Sequence, residues 1–362
     1  MSESKEMFVP GRFESQIADA VGRYFAWKGG DECVAFTVVT DVHSYIGGIS
    51  DPPNYRDPKM HIPLALCTAD RIDADFAADL GDQDFDTPCL NVPNILARIE
   101  SARTMYSAYA SRPVLFCVGN HDCGYEMKGC KGHPMPPERF GEVFSRMASR
   151  RGFGVVHGDN PTWGYYDIAA KRTRVFFVNS SDTGYYGFSK GQLDFLSRSL
   201  CAMPDGWTVL VLEHFTPLQG YKVRRSRGQA PTAKTRFPRT DAFAEMLLAF
   251  VACGKGSLGD VDWDFRGLKG RDVRLAGCIC GDAHWDLCEE VDGVHYAITQ
   301  GYGKFAWEQP VSLRQMRGTV HEFVDCEKEV LFEIVAAKPA RRELHMFRVG
   351  AGGPARDREW RY

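Results

Sequence analysis

Long apolar runs are missing from this chain. None approaches the ~20 residues that a membrane-spanning helix requires, so no membrane is expected among its partners. The opening stretch Met1-Ser-Glu-Ser-Lys-Glu-Met has neither the basic nor the apolar region of a secretory leader. Paired C-x-x-C spacing is absent as well. Cys123 and Cys130, the nearest approach to it in a loop, are too far apart to suggest a structural zinc site. Several of the 12 cysteines, Cys117, Cys278 and Cys280 among them, lie in strand-like runs where a reduced, buried thiol is ordinary. A reducing, cytoplasmic setting is therefore expected. No G-x-S-x-G elbow is present to support a serine hydrolase. Neither charge sign is in excess: 44 basic against 47 acidic residues leave a net charge of −3, which gives no global attraction to nucleic acid or membranes.

A linker is also lacking. A length of 362 residues would suggest two domains at roughly 150 residues each, yet no Ser/Gly- or Pro-rich stretch divides the chain. The reading is one domain over residues 1–362, with a core at about 33–336, an insertion at about 215–240 and a C-terminal strand extension at about 337–362. Hydrophobic residues at 44%, with 12% aromatics, suffice for a large core.

Helical spacing predicts an amphipathic helix from about Phe13 to Trp27. A second is predicted between Leu90 and Ala110 through Val92, Ile95, Leu96, Ile99, Ala102 and Tyr106. Another helix is expected over Pro136 to Arg150, followed by strands at Gly164–Ile168 and Arg174–Asn179. Ser189 to Gln192 has the form of a capping box opening the next helix, and Thr240 is expected to cap the helix that contains Phe243 and Phe250. Beyond Asp286 the pattern turns to strands, beginning near Gly293, Gly318, Val330 and Leu344, with a hairpin turn at Cys326-Glu-Lys-Glu.

What stands out is a repeated arrangement. Five apolar runs read as buried strands: Val34–Val39, Phe76–Leu80, Val114–Val118, Val209–Leu212 and Val273–Ile279. Each is followed by Asp, Asn or His, in Asp41-Val-His43, Gly81-Asp82, Gly119-Asn-His-Asp122, His214, and Gly281-Asp-Ala-His284. Ligands two apart on an extended segment leave the same face, so Asp41 and His43 can reach one cation. The repetition brings oxygen and nitrogen donors to one sheet edge, as a two-metal hydrolytic centre needs.

The series D-x-H, G-D, G-N-H-D, isolated His, G-x-x-H resembles the calcineurin-like metallophosphoesterase superfamily, bacterial type, from Asp41 to Asp286. Arg348-Val-Gly-Ala-Gly also resembles the C-terminal end of bacterial members. Two departures stand out. The second motif reads Gly81-Asp-Gln-Asp-Phe-Asp86 in place of G-D-x-x-D or G-D-x-x-N, and Asp282 replaces the first His of G-H-x-H. The resemblance implies an α/β fold, a four-layer α/β/β/α sandwich of two packed mixed β-sheets flanked by helices. It implies two divalent metal ions. Metal A would take Asp41, His43, Asp82 and His284; metal B would take Asp82, Asn120, His214 and Asp282. With three oxygens and one nitrogen at metal B, Mn²⁺ or Fe is favoured and Zn²⁺ is compatible.

The same resemblance assigns His121 as the general acid that assists the leaving oxygen. Asp122 would orient its imidazole and raise its pKa. A metal-bridging hydroxide would attack phosphorus in line, so phosphodiesters or phosphomonoesters are the expected substrates. Asp84 and Asp86 are either acceptors for ligating histidines or turn residues, and Trp285 is either pocket wall or core. His133 and the arginines Arg224, Arg225 and Arg227 are candidate substrate contacts. The latter belong to a basic run (Lys222, Lys234, Arg236 and Arg239 as well) without an acidic residue between Phe215 and Thr240. A solvated loop is the alternative for that run. The competing functions are a nuclease, which would want an extended basic groove with aromatics, and a catalytically silent scaffold for protein binding. A small phosphate ester is the favoured partner; nucleic acid is not, and the oligomeric state is open.

Overall fold

The computed structural model describes residues 11–42, 62–83, 92–123, 139, 142–143, 154–184, 186–217, 238–283, 286–299 and 330–362. Along the chain, α1 (Gly11–Lys28) leads into β1 (Val34–Val39), α2 (Ile62–Arg71) into β2 (Phe76–Asp79), and α3 (Val92–Tyr109) into β3 (Val114–Phe116). Next come β4 (Val155–His157), β5 (Gly164–Ile168) and β6 (Thr173–Phe177), then α4 (Lys190–Cys201), β7 (Thr208–Glu213) and α5 (Pro238–Val251). A hairpin of β8 (Lys255–Leu258) and β9 (Val261–Asp264) precedes β10 (Arg274–Cys280), β11 (Leu287–Val291) and β12 (Val294–Ile298). The chain closes with β13 (Leu331–Lys338), β14 (Glu343–Gly350) and β15 (Arg358–Arg361).

Two mixed sheets result. One has six strands in the order β15-β14-β13-β1-β2-β3; the other has seven in the order β11-β12-β10-β7-β6-β5-β4. Strands β1, β2 and β3 run parallel, as do β6, β7, β10 and β12, and the outer strands are antiparallel. Strands buried on both faces read as continuous apolar runs, and β1 shows why. Its Phe36 and Val38 meet Leu210, Leu212 and Ile279 of the other sheet. Its Ala35 and Val39 pack under the first three helices, among Ile17, Tyr24, Leu66 and Tyr106. On the far side, Leu193 and Leu196 of α4 and Phe243 and Leu247 of α5 cover Val209, Val211 and Cys278. These are the four layers, α/β/β/α, that were expected.

Strand β10 carries an irregularity with consequences below. Its register against β7 shifts between Leu275 and Gly277. Before the shift Leu275 faces the helices; after it, Cys278 and Cys280 do, while Ile279 faces the other sheet.

Local departures from the sequence reading have physical causes. Ser189 caps α4, its hydroxyl accepting from the Gln192 amide at 3.2 Å. The return half of the box is not made. The Gln192 side chain instead bonds the Asn179 backbone, at 2.8 and 2.9 Å, and the Ser189 amide donates to Asp182. Thr240 does not cap α5, which begins at Pro238 and leaves Thr240 buried in its first turn. Helix α2 and the short strands β4, β8, β9, β11 and β15 were not foreseen, being too short for periodicity to declare them. Of the helix expected over 136–150, Arg139, Glu142 and Val143 are described, and all are helical. The strand expected from Gly318 and the turn at Cys326 lie outside the described residues.

Candidate metal centre

Parallel strands from βα units end on the same side of a sheet. Here β1, β2 and β3 of one sheet and β7 and β10 of the other bring their C-terminal ends together. Asp41, Asp82 and Asp282 stand just past three of these ends, and all three have positive φ, at 51°, 56° and 64°. Aspartate tolerates this left-handed region better than most residues. Such backbone strain concentrates where a side chain must be aimed for function.

The loops interlock through their backbones. The Asp41 amide donates to the Gly81 carbonyl at 2.9 Å, and the Gly281 amide to the His214 carbonyl at 2.9 Å. Asp41 Oδ2 accepts from the Asp282 amide at 3.1 Å and from the Thr40 hydroxyl at 2.7 Å, which ties the two sheets together at the site. Glycine is required where the loops cross: a Cβ on Gly119 would lie 2.0 Å from Asp82 Oδ1.

Within this frame Asp41, Asp82 and His214 each offer a ligand atom, all within 4.8 Å of one another and all buried. His214 Nε2 lies 3.2 Å from Asp82 Oδ2, 3.2 Å from Asn120 Oδ1 and 3.8 Å from Asp282 Oδ1. Its other ring nitrogen, Nδ1, stands 2.9 Å from the Leu80 carbonyl and donates to it. That bond orients the ring and leaves the Nε2 lone pair for a cation. Burial alone would keep His214 neutral, but the charges of Asp82, Asp41 and Asp282 outweigh it and hold the imidazole well above the ordinary histidine range. Burial pushes the Asp282 carboxyl up to about 7, against the pull of His214 and helped by repulsion from Asp82 and Asp41. A crowd of carboxylates in so dry a place calls for positive charge. The donor set, carboxylate and amide oxygens with an imidazole nitrogen, fits divalent ions.

His121 sits at the edge of the cluster. Its amide donates to Asp82 Oδ1 at 2.9 Å, its Nε2 lies 3.6 Å from Asp82 Oδ2, and 21% of its side chain remains exposed. Asp122, expected to orient the His121 ring, is tied to the loop backbones. Its oxygens accept the backbone amides of Asp82, Gln83 and Gly119 at 3.0, 2.8 and 2.9 Å. A carboxylate that accepts three amides holds the Asp82 and Gly119 loops in register.

His43, His284, His133, Asp84, Asp86, Trp285, Arg224, Arg225 and Arg227 lie outside the described residues. Arg239, counted with the basic run, begins α5 and pairs with Asp260 on the surface at 3.1 Å. Two residues escaped the sequence reading. The Tyr186 hydroxyl donates to Asp282 Oδ1 at 2.9 Å while its ring stacks on Phe215 at 3.6 Å. No local pattern announces it. Glu213, fully buried beside His214, did leave a signal: an acidic residue directly after the apolar run Val209–Leu212.

Two packed mixed sheets with carboxylates and imidazole gathered at their strand ends define the metallophosphoesterase class. More specifically, the calcineurin-like phosphoesterase family matches residues 34–239, more than half of the chain, and the chain belongs to that family. Among curated proteins no match is found. Among solved structures, a purple acid phosphatase from yellow lupin seeds aligns with 91% of this chain and 54% of its own, at 11% identity and a TM-score of 0.51. A dimetal phosphatase from Danio rerio aligns over 91% of this chain and 99% of its own, at 12% identity and a TM-score of 0.49.

Proposed function

We propose that this chain hydrolyses phosphodiesters or phosphomonoesters at a dinuclear metal centre, with diesters preferred. The observation that carries the reading is the convergence of Asp41, Asp82 and His214 from both sheets within 4.8 Å, with Asn120 Oδ1 3.2 Å from the same imidazole nitrogen. Asp41, His43, Asp82 and His284 would hold one ion; Asp82, Asn120, His214 and Asp282 the other. Two such ions, when bound, lower the pKa of water toward neutrality and offset charge on the phosphoryl oxygens.

The chain supplies the rest. His121, at the rim and partly open to solvent, delivers a proton to the departing ester oxygen. Asp122 fixes the loops that carry Asp82 and His121, and the Tyr186 hydroxyl holds Asp282 by one oxygen. With Asp41, Asp82 and Asp282, three carboxylates face two dications and leave one net positive charge, which suits a monoanionic diester better than a dianionic monoester. The harder oxygen set around His214 favours Mn²⁺ or Fe over Zn²⁺. The basic run with Arg224, Arg225 and Arg227 follows His214 in the sequence, and these arginines, with His133, are the candidate contacts for the substrate's phosphate oxygens.

The test is hydrolysis of one chromogenic diester and one monoester by protein loaded in turn with Mn²⁺, Fe²⁺ and Zn²⁺. Metal-dependent turnover with a higher kcat/KM for the diester is expected. A strong monoester preference would overturn the charge argument. Absence of turnover on either ester by fully metallated protein would overturn the enzyme.

A further inference from the structure

Behind the His214 strand end lies a second donor cluster, on the helix-covered face of the seven-stranded sheet. Glu213 ends β7 and is paired in register with Cys280 of β10. The register shift before Gly277 turns Cys278 and Cys280 onto the same face as Glu213. The Cys278 and Cys280 thiols donate to Glu213 Oε1 at 3.0 and 3.4 Å, and the two sulfurs are 3.9 Å apart. All three side chains are buried, and one donor atom from each lies within 4.8 Å of the others.

Glu213 is the anomaly. It is 0% exposed, and its second oxygen, Oε2, has no hydrogen-bond partner among the described residues. As a carboxylate it is a buried charge with one oxygen that accepts no hydrogen bond; as an acid it leaves an oxygen position unmatched. Either way a buried polar atom goes unsatisfied, which is unfavourable. A cation between the three groups removes the deficit. The spacing also suits one. Zinc–sulfur bonds of ~2.3 Å at a tetrahedral angle put two sulfurs about 3.8 Å apart, close to the 3.9 Å seen here.

We propose that Glu213, Cys278 and Cys280 form a third metal site, separate from the dinuclear centre and suited to a thiolate-preferring ion such as Zn²⁺. Binding of M²⁺ by the two thiols forms two metal–sulfur bonds and releases two protons, as thiolate ligation requires. The Thr216 hydroxyl, bonded to Cys280, is the further protein oxygen at this corner. Because the site lies under α4 and α5 in the core, the ion enters while the chain folds, and it ties β7 to β10 directly behind His214. The C-x-C pair lies on one strand and its carboxylate partner on the next, which is why a search for C-x-x-C pairs passes over the cluster.

The test uses full-length protein expressed with Co²⁺ as the probe metal, and its readout does not depend on catalysis. The dinuclear centre has no sulfur ligand, so an intense near-ultraviolet thiolate-to-Co²⁺ charge-transfer band reports the third site alone. The expected result is that band in the unaltered protein and its loss in Cys278→Ser/Cys280→Ser, with about one fewer ion per chain. A band that persists in the double variant overturns the assignment. Should the variant fail to fold, zinc-edge X-ray absorption of unaltered protein grown with Zn²⁺ decides the matter. A sulfur shell at about 2.3 Å supports the site, and an oxygen/nitrogen shell alone overturns it.

Discussion

At the scale of single residues, the site depends on what Asp82 is allowed to do. Its Oδ1 accepts the His121 amide while its Oδ2 faces His214 and the His121 ring. Gly119→Ala would put a methyl 2.0 Å from Asp82 Oδ1. The same methyl would lie 2.3 Å from the Asp82 backbone nitrogen, which cannot yield as a flexible side chain would, so metal content should collapse along with a stability loss of ~1–3 kcal/mol. Gly22→Ala in α1 is the control, since its added Cβ meets nothing within 4 Å; a gain of ~0.5–1 kcal/mol is expected there. His121→Ala should behave oppositely to Gly119→Ala, because no ligand is lost. Metal content measured by elemental analysis should stay near that of the unaltered protein, while turnover drops ~10²–10⁴-fold. The drop should be larger for esters with poor leaving groups, which need the proton most. Equal losses across a leaving-group series would remove His121 from the acid role.

Between elements, β2 and α3 are joined by a buried acid. The Tyr106 hydroxyl of α3 donates to Asp79 Oδ2, and the Gly81 amide donates to Asp79 Oδ1 at 2.9 Å. Burial pushes the Asp79 carboxyl up to about 7, despite those hydrogen bonds. The sign follows from linkage. The folded state keeps this proton over a pH range where the unfolded chain has already lost it. The stability contribution is therefore full below about pH 4 and is lost as pH rises toward 7. Each pH unit in that window costs up to ~1.4 kcal/mol. Asp79→Asn, neutral at every pH, should gain on the unaltered protein across that window and hold a constant lead above it. Urea denaturation at stepped pH values measures this, and the slope should be steeper in metal-stripped protein, where no dication offsets the Asp79 charge. A lead that is flat from pH 4 to 8 would show that Asp79 titrates normally.

Over the whole molecule, the two sheets are locked by a buried ion network. Arg348 of β14 is fully buried; it donates to Glu333 of β13 at 2.8 Å and to Asp286, ahead of β11 in the other sheet, at 2.5 Å. Arg358 of β15 also donates to Glu333, and the Thr299 hydroxyl adds a bond at 2.9 Å. Removing one member of a buried pair leaves an uncompensated charge, so Arg348→Ala should destabilise by ~3–5 kcal/mol. Arg348→Met with Glu333→Gln should recover part of that loss, because both charges then go together. Chemical denaturation of the three proteins checks this. A double variant no more stable than Arg348→Ala would mean that packing, not charge, dominates the position. The segment set apart in the sequence as a C-terminal extension supplies β14 and β15 of the six-stranded sheet and half of this network.

The sequence alone determined the layers and the order of the site. Runs such as Val34–Val39 and Val209–Leu212 are apolar without alternation because both faces of each strand are buried, and a strand buried on both faces can be read from composition. The placing of Asp41, Asp82, Asn120 and His214 past strand ends was legible in the same pattern, because each stands two residues beyond such a run, where the chain leaves the sheet. The tertiary structure alone decided the rest, because those contacts join residues far apart in the chain. It brought three backbone amides to Asp122, placed Tyr186 on Asp282 across 96 positions, and set Gln192 against Asn179 where a local cap was expected. It also set Glu213 beside Cys278 and Cys280, through a one-residue slip in β10 that no local pattern encodes. Periodicity reports which face of a strand is dry. Which side chains meet on that face is decided by register and by the packing of the opposite layer.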